Sequence, residues 1–287
     1  MKTAATTTDL PAHLFARQQG EGTPTVLCLH SSTGSHGQWR GLMAQLAGRA
    51  TVLAPDFHGH GRSPAWPTSG DATLQVDAQA VARLMPDEGG VHLVAHSYGA
   101  AVALQIALSH PERVCSLTLY EPVAFGVLHA MAPESDALAE IAAIASRVAR
   151  LSAEGRPAAA ADAFVCYWGG PNAWSGMGEP QRESVASRIG TIPLHFEALF
   201  GAQWGPAHLR TLQMPVLLMN GSRTRQSARH VAELLGSALP RVKRLGITGA
   251  AHLGPMTHET AVNEAIVGHL LACEALRSFR VEEPALN

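Results

Sequence analysis

The sequence predicts an α/β fold, in which a mostly parallel central sheet is flanked by helices and a helical cap is inserted into the core. Short apolar runs rich in β-branched residues alternate with helical patterns, which is typical of βαβ units. The interiors of these runs, such as Val-Leu-Cys-Leu and Val-His-Leu-Val, are nearly unbroken hydrophobics, as expected for strands covered on both faces. A long central interval has helical patterns but no convincing strand.

The predicted elements follow one another with short connections. Strands are predicted at 13–18, 25–30, 50–55, 91–95, 114–120, 216–220 and 242–247, and helices at 38–46, 75–85, 98–108, 228–235 and 261–279. The strandless interval interrupts this alternation, so we expect residues 125–212 to form the cap and residues 1–124 and 213–287 to form the core.

The composition is that of a globular protein and limits the classes of partner. Hydrophobic residues make up 46% of the 287 residues and charged residues 15%, which excludes a disordered chain. A net charge of −2 offers neither a basic surface for nucleic acid nor a polybasic membrane anchor. We therefore expect a small-molecule substrate, no nucleic acid and no membrane partner, while a homo-oligomer stays compatible with the sequence.

The predicted location is the cytoplasm. Residues 1–20 lack the continuous apolar stretch of a signal peptide, and no apolar run approaches the roughly 20 residues of a membrane span. The four cysteines are widely separated and form no C-x-x-C pair, so we expect them to be reduced packing residues.

A serine lies between a predicted strand and a predicted helix, in Ala95-His96-Ser97-Tyr98-Gly99. Such a tight turn needs small residues at both flanks and holds the serine hydroxyl above the sheet edge, which is typical of a nucleophile elbow. Ala95 stands where the usual pattern has glycine. The adjacent His96 is expected to point away from the hydroxyl and to have a packing role.

His252 is the candidate base. It lies in Gly249-Ala250-Ala251-His252, which follows the last predicted strand and precedes the final helix. An imidazole there can take the proton of Ser97 during attack and return it to the leaving group. The alternative is an ordinary histidine at a helix entry.

The loop after the second strand reads His30-Ser31-Ser32-Thr33-Gly34 and is a candidate oxyanion-binding loop. Attack on a carbonyl creates an oxyanion that needs fixed N–H donors about 3 Å away. The backbone N–H groups of Tyr98 and Ser32 are the predicted donors. A simpler role for the loop is to cap the helix that follows.

The segment 56–63, Asp-Phe-His-Gly-His-Gly-Arg-Ser, has two histidines and an aspartate close together. No further ligand at metal-binding spacing completes a coordination set, and the glycines favour a shaped loop. We therefore expect no metal site and no cofactor.

Taken together, these motifs resemble the α/β-hydrolase superfamily, and within it the cap-bearing enzymes of the esterase, haloperoxidase and C–C hydrolase type. The resemblance covers nearly the whole chain and includes Tyr120-Glu121-Pro122 at the end of the fifth strand. The shared motifs are highly specific for the fold and poorly specific for the substrate.

The triad acid departs from the usual pattern of this superfamily. An aspartate is usual shortly after the strand that ends in Asn220, but the first carboxylate beyond that point is Glu233, inside a predicted helix. Glu121 follows a strand at the same sheet edge as Ser97, and a minority of the superfamily takes the acid from there. Glu121 is therefore the predicted acid, and the alternatives are a serine–histidine dyad or a Glu-Pro pair that only forms the pocket wall.

The predicted activity is hydrolysis of a small, largely hydrophobic carboxylic ester through an acyl-enzyme. Alternatives are C–C bond hydrolysis or cofactor-free perhydrolysis with the same residues, or a non-catalytic small-molecule binder. We expect Trp168 and Trp174 from the cap and His30 from the core to contact the substrate. The further aromatic and apolar residues expected to shape the pocket are Phe164, Tyr167, Leu194, Phe196, Phe200 and Trp204.

Overall fold

A computed structural model describes residues 13–67 and 70–282 of the chain. The expectations for residues 1–12, including the lack of a signal segment, and for residues 283–287 lie outside the described residues. None of the helices within the described ranges combines the length and the apolar character needed to span a membrane.

The described residues form a seven-stranded sheet with helices on both faces, and this confirms the predicted fold class. The strands are β1 (Ala16–Gln19), β2 (Thr25–Leu29), β3 (Thr51–Pro55), β4 (Val91–His96), β5 (Val114–Tyr120), β6 (Val216–Gly221) and β7 (Val242–Ile247). The helices are α1 (Arg40–Leu46), α2 (Leu74–Ala82), α3 (Tyr98–Ser109), α4 (Gly126–Met131), α5 (Asp136–Ala153), α6 (Pro157–Gly169), α7 (Glu179–Ala186), α8 (Ile192–Gly201), α9 (Pro206–Leu209), α10 (Gln226–Ala238), α11 (Gly254–Thr257) and α12 (Glu259–Glu282). Short 3-10 helices lie at His36–Trp39, Pro111–Arg113 and Ile189–Thr191.

The strand order is β1-β3-β2-β4-β5-β6-β7, with β1 antiparallel to β3 and the other neighbours parallel. In the central pair, His96 of β4 is in register with Tyr120 of β5. The residues that follow these two strands, Ser97 and Glu121, therefore leave the sheet side by side at its carboxyl edge. Ligand sites of open parallel sheets form at this edge.

Two apolar layers cover the sheet. Helices α1 and α12 pack on one face, where Trp39 and Leu42 meet Val262 and Ile266. On the other face, the residues of α2 and α3 join those of the segment between β5 and β6 in one continuous core. Because α3 is buried along nearly its whole length, its sequence is apolar all round rather than striped.

The elements start or end a few residues away from their predicted bounds. Strand β1 begins at Ala16 instead of residue 13, and α10 and α12 extend further than predicted. Strand β7 is an edge strand with exposed Lys243 and Arg244, so it lacks the covering helices expected for every strand. Within the described residues, the segment between β5 and β6 contains helices α4 to α9 and no strand.

The start of α3 lies directly against the end of β2. A Cβ atom added at Gly99 would lie 2.5 Å from the carbonyl oxygen of His30 and 2.6 Å from that of Leu29. Real Cβ atoms do not approach backbone oxygens this closely. The absence of a side chain at this position is therefore what lets the turn after β4 approach the loop after β2.

Substitution of Gly99 by alanine should lower the free energy of unfolding by about 1–3 kcal/mol, because the methyl group would push α3 away from β2. The matched control is Gly268→Ala in α12, where the added methyl group meets open space. There the better helix propensity of alanine should raise stability by roughly 0.5–1 kcal/mol. Urea titration of both variants measures the difference, and equal effects would contradict this account of the elbow.

Candidate active site

Ser97 occupies a strained turn between β4 and α3. Its backbone has φ 57° and ψ −119°, a conformation that residues with side chains rarely adopt. Backbone hydrogen bonds fix it, since its N–H donates to Tyr120 O and its carbonyl accepts from Ala100 N and Ala101 N. The side chain consequently projects from the sheet edge, where it is nearly buried and lines a cavity.

His252 links Ser97 to a carboxylate. Its Nε2 lies 2.9 Å from Ser97 Oγ, and its Nδ1 lies 2.8 Å from Glu121 Oε2. With Nδ1 protonated, the imidazole donates to Glu121 and accepts the hydroxyl proton of Ser97. All three side chains are buried, so the hydrogen-bonded chain is shielded from water.

Glu121 is held in place by two hydrogen bonds to β6. Its own N–H donates to Met219 O, and its Oε1 accepts from Gly221 N at 2.9 Å. The backbone at the end of β6, where the superfamily usually carries the acid, thus binds the carboxylate that β5 supplies. Glu121 also has a positive φ of 41°, which turns its side chain toward His252.

The loop that carries His252 is fastened to the sheet by two side chains. Tyr120 Oη donates to Ala251 O at 2.8 Å, and His96 Nε2 lies 2.8 Å from His252 O. Burial lowers the pKa of His96 well below its usual range, so the ring stays neutral and donates from Nε2. His96 therefore helps to position His252, which is a more specific role than the packing role predicted for His96.

Two backbone N–H groups beside Ser97 have no protein acceptor among the described residues. One is that of Tyr98, the first residue of α3, where the helix dipole favours negative charge. The other is that of Ser32, whose neighbours are both engaged: Ser31 N–H donates to Gln38 Oε1, and Thr33 N–H donates to His60 Nε2. The two N–H groups that the sequence predicts as oxyanion donors are therefore without a protein acceptor among the described residues.

The segment 56–63 supports this loop through hydrogen bonds. Asp56 Oδ1 accepts from the backbone and ring of His36, and Oδ2 accepts from Arg62 N. Burial raises the pKa of Asp56, but these hydrogen bonds outweigh it and the net pKa lies below the usual value. His60 Nδ1 donates to His58 O, which leaves Nε2 as the acceptor for Thr33.

Asp77 holds the side chain of Tyr98 by a hydrogen bond to its hydroxyl group. Its Oδ2 accepts from Tyr98 Oη at 2.9 Å, and its Oδ1 accepts from the backbone and ring of His58. Burial and the Asp77 charge raise the pKa of Tyr98, so its hydroxyl stays protonated. The sequence analysis missed Asp77, since a lone aspartate inside a helix carries no distinguishing signal.

A cavity of about 410 Å³ opens in front of Ser97. A much smaller apolar pocket of about 10 Å³ shares Ser32, Ser97, Phe164 and Trp168 with it. The additional residues of the small pocket are Val123, Phe125, Ile192, His195, Phe196 and Leu199. Residues of the segment 125–212 line both spaces next to Ser97.

The structure brings only one of the three predicted contact residues to the cavity wall. The ring of Trp168 stacks on His252 with centroids 3.8 Å apart. Trp174 packs at the edge of the core outside the cavity, because the chain turns away after α6. His30 is fully buried beneath its loop, where Phe57 N donates to Nε2 and Nδ1 donates to Ser31 O, so its expected substrate contact is wrong.

His195 of α8 is a site residue that the sequence analysis did not find. It is buried, its Nδ1 lies 2.8 Å from Ser32 Oγ, and its ring stacks on that of Tyr98 at 3.6 Å. It therefore touches the side chains of both residues whose N–H groups are the predicted oxyanion donors. A histidine in an apolar helix resembles many core histidines, and only the packing of α8 over the sheet reveals the contact.

Burial keeps several histidines near the site uncharged. It lowers the pKa of His30 to about 3 and that of His195 well below the usual range, and neighbouring histidines add to both effects. A neutral His195 can share a hydrogen bond with Ser32 without placing a charge beside the nucleophile.

Comparison with known proteins agrees with this fold. Residues 24–146 match the family described as alpha/beta hydrolase fold. The chain is 41% identical over 114 residues to the dihydrolipoyllysine-residue acetyltransferase component of the acetoin cleaving system of Cupriavidus necator, covering 39% of this chain and 30% of that protein. It is 36% identical over 113 residues to the lipase LipV of Mycobacterium tuberculosis, covering 38% of this chain and 41% of the lipase.

The alignments thus span well under half the length of these curated relatives. Solved structures match over almost the whole chain: a thermophilic esterase from Thermogutta terrifontis has a TM-score of 0.69 at 23% identity, covering 91% of this chain and 93% of the esterase. An enol-lactonase from Burkholderia xenovorans has a TM-score of 0.70 at 19% identity, covering 90% and 96%. At such low identity these structures establish the fold alone. Together with the match of residues 24–146, they show that the chain has the α/β-hydrolase fold.

The buried neutral histidines predict a loss of stability in mild acid. The unfolded chain binds a proton near pH 6.5 that folded His195 does not bind, so the free energy of unfolding falls as the pH drops below that value. Removing the group with His195→Gln should reduce this dependence by up to about 1.4 kcal/mol per pH unit.

Urea unfolding at pH 7.5 and pH 5 measures this difference. The control is Phe196→Leu, which loosens the same helix without removing a titratable group and should lower stability equally at both values. An unchanged difference between the two pH values in His195→Gln would contradict a neutral buried ring.

Proposed function

We propose that this protein is a serine hydrolase that cleaves carboxylic esters through an acyl-enzyme. The observation that carries the proposal is the chain of hydrogen bonds from Glu121 through His252 to Ser97, with distances of 2.8 and 2.9 Å. A nucleophile, a base within hydrogen-bond reach and a group that orients the base are the parts that acyl transfer requires.

In the first step Ser97 Oγ attacks the ester carbonyl carbon, and the hydroxyl proton passes to His252 Nε2. The imidazolium is stabilised by the buried carboxylate of Glu121, which remains ionised throughout. Because Trp168 stacks on the imidazole, the ring keeps its orientation as the charge develops.

The carbonyl oxygen becomes an oxyanion in the tetrahedral intermediate. The N–H groups of Tyr98 and Ser32 are the proposed donors, since they are fixed by the start of α3 and by the hydrogen bonds on either side of Ser32. Fixed donors of this kind lower the barrier because they need no reorganisation when the charge forms.

Collapse of the intermediate breaks the bond to the alcohol oxygen, which takes the proton from His252 Nε2. Water then attacks the acyl-enzyme, with His252 accepting a proton from the water and returning it to Ser97 Oγ. The products are the carboxylic acid and the alcohol, and the side chains return to their starting protonation states.

Glu121 is the better candidate for the acid than any residue after β6. The turn after β6, residues 221–224, contains no carboxylate, and its first N–H donates to Glu121. The proposed division into a cap (residues 125–212) and a core (1–124 and 213–287) is supported by Phe164 and Trp168, which the cap segment contributes to the cavity wall.

The nucleophile assignment predicts that Ser97→Ala will reduce ester turnover by several orders of magnitude and leave stability nearly unchanged. A fluorophosphonate probe should label wild-type protein at Ser97 alone, as read by peptide mass spectrometry. The control Ser227→Ala removes another buried serine, one that bonds Tyr167 Oη, and should keep both labelling and turnover.

Rates on 4-nitrophenyl esters should be measured beside a vinylogous diketone and a perhydrolysis assay. Turnover of the diketone without ester turnover would favour C–C hydrolysis by the same residues. Substrate binding without turnover of any kind would instead favour a non-catalytic binder.

The acid assignment predicts that Glu121→Gln will lower kcat at least about a hundredfold with little change in KM. The amide keeps the shape and can still accept from Gly221 N, but it no longer carries the charge that stabilises the imidazolium. The matched control is Glu274→Gln, which removes a carboxylate from another histidine, His92, outside the cavity. Near-normal kcat in Glu121→Gln would favour a serine–histidine dyad.

A further inference from the structure

One wall of the larger cavity carries a positive charge. Arg188 lies just before the 3-10 helix Ile189–Thr191 and lines the cavity that also contains Ser97. Among the lining residues of the described chain there is no aspartate or glutamate. The other polar lining residues carry hydroxyl or amide groups: Ser31, Ser32, Thr33, Ser35, Gln38 and Gln181.

Arg188 is fixed by the loop beside the nucleophile but is not neutralised by it. Its Nη1 donates to Thr33 O at 2.8 Å and to Gly34 O at 3.3 Å. A guanidinium has five N–H donors, and within the described ranges those on Nε and Nη2 of Arg188 meet no protein acceptor. No described carboxylate forms an ion pair with it, so both its charge and part of its hydrogen-bonding fork face the cavity.

The charge of Arg188 is felt at the loop that holds the proposed oxyanion donor. Burial is the main cause of the lowered pKa values of His30 and His60, and Arg188 lowers both further. On the same wall, the side-chain NH₂ of Gln38 has no acceptor among the described residues. The cavity therefore offers free donors and a positive charge, and no carboxylate side chain is among its described lining residues.

We propose that Arg188 forms a carboxylate-binding subsite, and that the substrate is an ester carrying a carboxylate group on one side of the scissile bond. This inference rests on the proposed ester hydrolysis. A guanidinium matches a carboxylate in charge and binds it through two parallel N–H groups. The apolar residues of the same cavity, among them Phe164, Val165 and Trp168, would contact the uncharged part of the ester.

The subsite changes the expected substrate class. The sequence predicts a largely hydrophobic ester, because aromatic residues are conspicuous in the segment 125–212 and charged residues are few near them. A neutral ester offers no carboxylate to Nε and Nη2 of Arg188 or to the side-chain NH₂ of Gln38, which have no acceptor among the described residues. An anionic ester satisfies both groups and is favoured for that reason.

The test compares esters that differ in charge at similar length. One pair is mono-4-nitrophenyl glutarate and 4-nitrophenyl hexanoate, in which the carboxylate belongs to the acyl group. A second pair is 4-acetoxybutanoate and pentyl acetate, in which it belongs to the alcohol, with rates followed by pH-stat. We expect kcat/KM of the wild type to favour the anionic member of at least one pair by about tenfold or more.

In Arg188→Gln that preference should disappear, and in Arg188→Lys it should be partly retained, because an ammonium keeps the charge but loses the planar fork. The matched control is Arg150→Gln, which removes one positive charge from α5 at an exposed position paired with Glu154. It should leave the anionic preference unchanged at physiological ionic strength.

Two results would overturn the subsite. One is a wild-type preference for the neutral member of both pairs. The other is an equal loss on both members of a pair in Arg188→Gln, which would assign Arg188 the sole role of bracing the 33–34 loop. Failure of the ester hydrolysis itself is distinguishable, since none of the four esters would then be turned over and Ser97→Ala would change nothing.

Discussion

The hydrogen bond between Glu121 and His252 is the constraint on which the rest of the site depends. It joins the end of β5 to the loop after β7, across β6, and both groups are buried. A buried carboxylate is stable only when its oxygens have donors, and here the donors are His252 and the backbone N–H of Gly221. The three strands that end at this point are therefore tied together by one side chain.

A second constraint acts at the turn after β4. The strained backbone of Ser97 is maintained because Gly99 allows α3 to approach β2, and because the loop after β2 is itself braced by Gln38, His60 and Arg188. The same close approach brings the start of α3, with Ser97 and Tyr98, against the end of β2 and the loop that carries Ser32. Backbone strain at Ser97 is compensated by packing elsewhere.

The segment between β5 and β6 does more than cover the cavity, because three of its side chains contact residues of the site. Trp168 stacks on the imidazole, His195 bonds to Ser32 and stacks on Tyr98, and Arg188 holds the carbonyls of Thr33 and Gly34. Trp168 thus contacts the proposed base, His195 contacts both residues that carry the proposed oxyanion donors, and Arg188 braces the loop that holds Ser32. A change of substrate specificity in this segment would therefore also alter the geometry of the reacting groups.

The sequence by itself determined the fold class, the strand order along the chain and the residues of the elbow. These features depend on local patterns: apolar runs of strand length, small residues in a tight turn and a histidine after the last strand. It also singled out Glu121, because the turn after Asn220 has no carboxylate.

Only the tertiary structure decided which side chains meet. The register of β4 and β5 brings Ser97 beside Glu121. Helix α6 places Trp168 against His252, and the path of the chain after α6 leaves Trp174 outside the cavity. His195 and Arg188 were missed for the same physical reason. Their partners lie more than 150 residues away in the sequence, at separations of 163 and 155, where no local periodicity carries information about contact.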